Sequence, residues 1–253
     1  MTINKNYTSY NKKLPKSLWI YGKHCVISAL NNINRKLYKL VLINEKSLNF
    51  IKPELIKNIL VKIDPSFFTS NTLPNGAVHQ GIALEASYLN QPAFEELVIN
   101  SPPDCLLLLD QITDPHNVGA IIRSSAAFGA GAVITTFDNS PEESSTLIKS
   151  SAGNFEILPY IKVVNLRNSI NFLKTHGYWC IGLDSNTDST IDSTSFAKKT
   201  AFILGAEDTG LRKLTKENCD MLIKLPISAS VDSLNVSNAA AITLYEYRKQ
   251  YKF

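Results

Sequence analysis

The sequence is poor in the features that mark secreted, membrane and metal-binding proteins. Its 253 residues include only four cysteines and four histidines, and neither set has the spacing of a metal site or of a dense disulfide framework. No apolar stretch reaches the length of a membrane span, and the N-terminus lacks the apolar core of a signal peptide. We therefore expect a protein of the reducing cytoplasm that binds neither a metal ion nor a membrane.

Acidic residues are scarce in the first third of the chain. Residues 1–92 contain 12 Lys and Arg against 4 Asp and Glu, whereas the remainder contains 14 against 18. A basic segment beside an acidic one is typical of a polyanion-binding module joined to a second domain. Compositional drift toward Lys would explain many surface lysines but not the missing acids, so the pattern favours nucleic-acid binding.

Changes in composition predict four parts in this α/β protein. They are a disordered basic arm (1–16), a small α/β module (17–90), a linker (91–103) and a larger α/β domain (104–253). The arm has four lysines and no acid, and prolines punctuate the linker. Within the module we predict strands at 18–22, 37–43 and 81–87 and helices at 26–31 and 53–60.

Short apolar runs alternate with helical stretches in the larger domain. The predicted strands are 105–109, 132–136, 179–183, 201–204 and 221–225, and the intervening predicted helices include 144–151 and 166–176. Strands that are apolar throughout and separated by helices predict a parallel sheet covered on both faces. Such sheets bind ligands beyond the carboxyl ends of their strands.

The first of these ends leads into a helix with one conspicuous arginine. Asp114 followed by Pro115 predicts an N-cap and a first helical turn. The spacing of the following apolar residues predicts a buried stripe, formed by Val118, Ile121, Ile122 and Ser125. Arg123 lies off that stripe in a chain with only five arginines. It is either a solvent-facing helix residue or a group that faces a cleft.

Two further strand ends carry polar residues. Gly205 directly follows a strand, where it allows close approach of a ligand, and Glu207 at the mouth of the strand can accept hydrogen bonds. Later, Pro226 ends a strand, and Ser237 or Asn235 can cap the next helix. The loop between them mixes polar and apolar residues as pocket-forming loops do, although a capped strand-to-helix corner is the simpler interpretation of this loop alone.

Together, the three strand ends resemble the motifs of the SpoU (TrmH-like) family of RNA 2′-O-ribose methyltransferases. The matching segments are 114–123, 204–210 and 233–237, and segments 20–30 and 79–82 are similar to the family's small RNA-substrate-binding domain. The resemblance covers roughly residues 17–250. It implies S-adenosylmethionine as methyl donor, a homodimer, and a deep trefoil knot in the C-terminal domain.

The resemblance also implies roles for individual residues. The implied cofactor-binding residues are Gly205, Leu225, Ile227 and Leu234, and the implied catalytic and RNA-positioning residues are Asn117, Arg123, Glu207, Ser233 and Asn235. A guanidinium stays protonated in proteins. Our hypothesis is therefore that Arg123 stabilises the developing oxyanion, while the other polar groups align the sugar.

Three classes of function remain open from the sequence. The first is a guanosine 2′-O-methyltransferase of large-subunit (23S-type) rRNA, favoured because a substrate-binding module precedes the catalytic domain. The second is a tRNA ribose methyltransferase of the same family. The third is a catalytically silent RNA-binding factor of ribosome assembly. Retention of Asn117, Arg123, Glu207 and Asn235 together argues against the third.

Overall fold

The N-terminal part of the chain forms a four-stranded sheet. A computed structural model describes residues 16–251, so the predicted arm lies outside the described residues except for Lys16. The four strands are β1 (Leu18–Tyr21), β2 (Leu37–Leu42), β3 (Leu60–Ile63) and β4 (Ile82–Ala86), in the spatial order β1-β4-β2-β3. Strand β4 runs antiparallel to both β1 and β2, and β3 runs parallel to β2.

The sequence predicted most elements of this sheet but not all of them. Helix α1 (Lys23–Asn31) and strands β1, β2 and β4 fall where they were predicted, within a few residues. The helix predicted at 53–60 is wrong: Pro53–Ile56 is a short 3₁₀ turn, and β3 follows it. Strand β3 carries Leu60 and Ile63 exposed at an edge, so it lacked the apolar alternation that identifies a half-buried strand.

The segment predicted as a linker contains a helix. Helix α2 (Phe94–Asn100) buries Phe94 and Val98 against the core of the larger domain. Its seven residues are too few to show a clear helical period, whereas the flanking prolines suggested a connection.

The larger domain is built on a six-stranded parallel sheet. Its strands are β5 (Cys105–Asp110), β6 (Ala132–Thr136), β7 (Tyr160–Val163), β8 (Trp179–Leu183), β9 (Thr200–Gly205) and β10 (Met221–Ile223). The spatial order is β10-β8-β9-β5-β6-β7, and every neighbouring pair is parallel. This confirms the predicted parallel sheet. The sequence pattern does not predict strand β7, because its four residues include Lys162 and follow a proline.

Helices cover both faces of this sheet. They are α3 (Pro115–Ala127), α4 (Ser145–Ser150), α5 (Leu166–Thr175), α6 (Lys213–Asn218) and α7 (Val236–Gln250). The four residues of the predicted stripe on α3 are fully buried. None of the helices within residues 16–251 is both long and apolar enough to traverse a bilayer.

The two sheets share one hydrophobic core. Ile20 and Val26 from the N-terminal sheet and its helix belong to the same buried cluster as Ile148 and Phe155 from the larger domain. Hydrogen bonds cross the same boundary, for example from Ser28 Oγ to the Gly153 carbonyl at 2.8 Å. The N-terminal sheet is therefore docked firmly on α4 and its neighbours.

Candidate functional site

Three segments that are far apart in sequence meet at the carboxyl end of the parallel sheet. Strands β5 and β9 are neighbours, and α3 follows the first while Glu207 follows the second. The N-terminus of α7 approaches the same place. Asn117 from α3, Glu207, and Asn235 from the start of α7 are consequently joined by hydrogen bonds.

Glu207 is the centre of this cluster. Its Oε1 accepts hydrogen bonds from Asn235 Nδ2 at 2.6 Å, from the Val236 backbone N–H at 3.1 Å and from Asn117 Nδ2 at 3.2 Å. Three donors on one oxygen fix the orientation of the carboxylate. Its Oε2 has no partner within residues 16–251, and the side chain is exposed. A hydroxyl group of a ligand can therefore donate to Oε2.

Asn235 links the helix cap to this carboxylate. Its Oδ1 accepts from the Ser237 backbone N–H at 2.9 Å, which caps α7 and decides between the two predicted caps. Because the cap requires the amide oxygen, the amide nitrogen faces Glu207 and Asn117. An aspartate could form the cap equally well, but it would place a second carboxylate beside Glu207.

A tight loop presents Glu207 at this position. The Gly210 N–H donates to the Ala206 carbonyl at 2.8 Å, so the chain folds back on the end of β9. A Cβ on Gly205 would collide with the backbone of Gly210 and Leu211. The close approach predicted at Gly205 is therefore an approach of the protein's own backbone, which requires glycine there.

An ion pair that the sequence patterns did not reveal supports the same loop. Asp110, at the end of β5, is fully buried and accepts from Arg212 Nε at 2.7 Å and from the Arg212 backbone N–H at 3.1 Å. A buried carboxylate requires such a partner. One feature of the sequence could have indicated the pair: Asp110 is a charged residue that directly continues an apolar strand, and the rest of that strand is buried.

Two predicted site residues lie outside the hydrogen-bonded cluster. Arg123 is exposed on α3, about 9 Å along the helix axis from Asn117, given the rise of an α-helix. The side chains of Arg123 and Ser233 form no hydrogen bond with another residue in the described part of the chain. Their side chains are thus free to contact a ligand or another molecule.

Three of the four predicted cofactor residues lie on the loop between β10 and α7, whereas the fourth, Gly205, ends β9. Leu225 and Leu234 are half-buried, and Ile227 is 38% exposed. Apart from contacts near Ser228, this loop forms few hydrogen bonds, and the backbone groups of Leu225, Ile227 and Leu234 have no partner within residues 16–251. Exposed apolar side chains beside unpaired backbone groups are the usual lining of a small-molecule site.

A separate groove of about 1360 Å³ lies away from these residues. It runs along strand β7 and the segment after β4, and none of the predicted site residues lines it. The cluster around Glu207 is instead an open surface at the strand ends, which suits a large ligand.

Comparison with known proteins agrees with the arrangement of these motifs. The model of the SpoU rRNA Methylase family matches residues 104–245. The 23S rRNA (guanosine-2'-O-)-methyltransferase RlmB of Haemophilus influenzae is 35% identical over 238 residues, covering 91% of this chain and 97% of the relative. RlmB of Neisseria meningitidis is 37% identical over 237 residues, covering 91% and 94%.

A solved structure shares the fold over both sheets. The SpoU methyltransferase AviRb from Streptomyces viridochromogenes, in complex with the cofactor AdoMet, superposes with a TM-score of 0.77. It covers 93% of this chain and 90% of its own length at 21% identity. The family model spans the three strand ends described above, and the RlmB relatives align along nearly the whole chain. The protein therefore belongs to the SpoU rRNA methylase family of methyltransferases.

Proposed function

We propose that this protein transfers a methyl group from S-adenosylmethionine to the ribose 2′-hydroxyl of a guanosine in large-subunit rRNA. The observation that carries the proposal is the convergence of Asn117, Glu207 and Asn235 at the sheet edge in a methyltransferase of this family. The rRNA substrate is favoured over tRNA because the RlmB relatives align with 91% of the chain, including the N-terminal sheet.

The β10–α7 loop fits the cofactor. Adenosine offers an aromatic face and hydrogen-bonding edges, and the loop offers the apolar side chains of Leu225, Ile227 and Leu234 together with unpaired backbone groups. When bound, S-adenosylmethionine would supply a methyl carbon activated by its sulfonium. The role of Gly205 in this proposal is indirect, since it keeps the 206–211 loop folded back at the end of β9.

The polar cluster would position the nucleophile. A ribose hydroxyl is a weak acid, so the site has to orient it and stabilise the negative charge that develops on its oxygen. Glu207 Oε2 would accept from a sugar hydroxyl, while Asn117 and Asn235 hold the carboxylate in place. Arg123 and Ser233 would contact the RNA, with the guanidinium stabilising the oxyanion or an adjacent phosphate.

The proposal includes a homodimer and a trefoil knot. Helix α7 exposes Ile242 and Tyr245 by 41% and 53%, and an apolar helix face of this kind supports self-association. The membership in the family supports the knot, in which the segment around the β10–α7 loop would be threaded. Sedimentation tests the dimer, for which we expect a species of twice the 28.0 kDa chain mass. A monomer at micromolar concentration would contradict the dimer.

The test of the function is transfer of a labelled methyl group. We expect the protein, incubated with labelled S-adenosylmethionine and separate rRNA and tRNA pools, to label one guanosine ribose of the large-subunit rRNA. Labelling of tRNA alone would favour the second function. Absence of cofactor binding by calorimetry would favour the non-catalytic RNA-binding factor. Near-normal turnover of Arg123→Lys on bound RNA would rule out a role that depends on the forked guanidinium.

A further inference from the structure

One lysine of the larger domain lies against a turn of the N-terminal sheet. Lys149 is in the last turn of α4, and its ammonium is 5.8 Å from the centroid of the Tyr21 ring. A side chain at Gly22 would collide with Lys149 Nζ, and Gly22 has a φ of 87° that favours glycine. The turn between β1 and α1 therefore leaves room for this ammonium group.

The positive charge of Lys149 has no carboxylate beside it. Every ion pair among residues 16–251 involves other cations, and Lys149 is half-buried. Lys23, at the start of α1, is similar: its ammonium lies 4.4 Å from the Phe50 ring centroid and has no acidic partner there either. Two unneutralised ammonium groups on adjoining elements favour an anionic ligand.

A short chain of contacts connects Lys149 to the polar cluster. Ser150, the next residue, forms a hydrogen bond through Oγ with His116 Nδ1 at 3.1 Å. His116 directly precedes Asn117 in α3. The two helices also touch at Gly119, where a Cβ would collide with Ser150. Lys149 is thus held by the same helix pair that presents Asn117 to Glu207.

We infer that Lys149 and Lys23 bind backbone phosphates of the RNA on its path from the Glu207 cluster to the N-terminal sheet. This inference rests on the proposed function, which supplies the RNA. A lysine ammonium suits a phosphate because it is a compact charge that needs no fixed approach geometry. Lys149 is the central contact, since it lies where the two sheets meet and would align the RNA segment that carries the target ribose.

The test measures how salt weakens binding of transcribed large-subunit rRNA. Removing one lysine–phosphate interaction should lower the slope of log affinity against log salt by about 0.7–0.9. We expect Lys149→Gln to show this decrease together with about tenfold weaker binding, and Lys149→Arg to restore most of both. The matched control is Lys198→Gln, because Lys198 is exposed at the opposite, amino end of β9. It should leave both quantities unchanged.

The outcomes separate RNA binding from a purely structural contact. A Lys149→Gln variant with a lower melting temperature but unchanged affinity and salt slope would overturn the inference, since the lysine would then only support Tyr21. If that variant does not fold, Lys23→Gln replaces it, and an unchanged slope there overturns the inference equally. S-adenosylmethionine affinity should stay the same in all variants. If the variants change the salt slope as expected but the wild-type protein never methylates the rRNA that it binds, the proposed function is refuted and the phosphate contacts are not.

Discussion

At the scale of single residues, Asn235 combines two roles that no other side chain could combine in the same way. Its oxygen caps α7 through the Ser237 N–H, and its nitrogen donates to Glu207. A serine retains an acceptor for the cap, but its single, shorter hydroxyl replaces the separate amide nitrogen that reaches the carboxylate. Stability and catalysis can therefore be separated at this position.

We expect Asn235→Ser to lower the methylation rate about a hundredfold, because removing one positioned polar group from an active site has an effect of this order. The melting temperature should change little. Asn235→Ala should show the same loss of rate and also lose about 1 kcal/mol of unfolding free energy with the cap. Single-turnover kinetics on rRNA and thermal unfolding measure the two effects. Equal activity of Asn235→Ser and wild type would contradict the role of the amide.

The reactivity of each of the four cysteines depends on the surroundings of its own thiol. Burial raises the pKa of the Cys25 thiol to about 11 and the pKa values of Cys105, Cys180 and Cys219 to about 12. Only the thiolate reacts with alkylating reagents, and at pH 8 roughly one thiol in a thousand or fewer would be ionised.

We expect all four thiols of the native protein to resist iodoacetamide at pH 8 and all four to react in denaturant. Mass spectrometry of the intact protein counts the adducts. Raising the pH toward 10 should speed native labelling, because the thiolate fraction of each cysteine increases about tenfold per pH unit while the fold persists. Rapid labelling of any native cysteine at pH 8 would show that its thiol is not buried as described.

At the scale of elements, a buried ion-pair network joins the α1–β2 connection to the larger domain. The Arg35 guanidinium donates to Glu156 Oε1 at 2.6 Å, to Glu156 Oε2 at 3.0 Å and to the Ser87 carbonyl at 2.6 Å, and it also pairs with Glu143. The side chains of Arg35 and Glu156 are inaccessible to solvent. Burial raises the pKa of Glu143 even though Arg35 opposes the shift.

We expect Arg35→Met to reduce the free energy of unfolding by about 3–5 kcal/mol at pH 8, because the buried Glu156 and the largely buried Glu143 lose their counter-charge. The loss should be smaller at pH 5: burial raises the pKa of Glu143 in the folded protein, so this carboxyl takes up a proton there before it does in the unfolded chain, and lowering the pH stabilises the variant. Lys62→Met is the control, since the Lys62–Asp64 pair is exposed and screened by solvent, so its loss should change the stability little. Equal effects of the two substitutions in denaturant unfolding would contradict the network's importance.

At the scale of the whole molecule, the shared core makes the two sheets one cooperative unit. The side chains of Ile20 and Val26 pack in the same cluster as Ile148 and Phe155, so separating the sheets would expose apolar surface on both. Rigid docking also keeps Lys149 and the β1–α1 turn in a constant position relative to the Glu207 cluster.

We expect calorimetry of the whole chain to show a single unfolding transition for both sheets. A fragment of residues 91–253 should bind the dye ANS and melt at a lower temperature than the whole chain, because it exposes the surface that the N-terminal sheet covers. Addition of S-adenosylmethionine should raise the single melting temperature of the whole chain. Two separate transitions, with the second matching the fragment, would show that the sheets unfold independently.

The local features of the fold could be predicted from the sequence alone. Periodicity and turn residues located five of the six parallel strands, the Asp114 cap and the buried stripe of α3, because each depends on residues a few positions apart. Short elements with mixed polarity, such as β3 and β7, carried too little pattern to be recognised. The motif residues were also identifiable, but only through their resemblance to a family.

The contacts between distant residues, by contrast, depend on how the whole chain packs. The contact of Asn117 with Glu207 spans 90 positions and that of Asn117 with Asn235 spans 118, and no local pattern encodes such distances. The same is true of the Asp110–Arg212 pair and of Lys149 beside Gly22. Packing of the sheet and its helices brings these groups together, because burying the apolar stripes leaves few ways to arrange the polar ends.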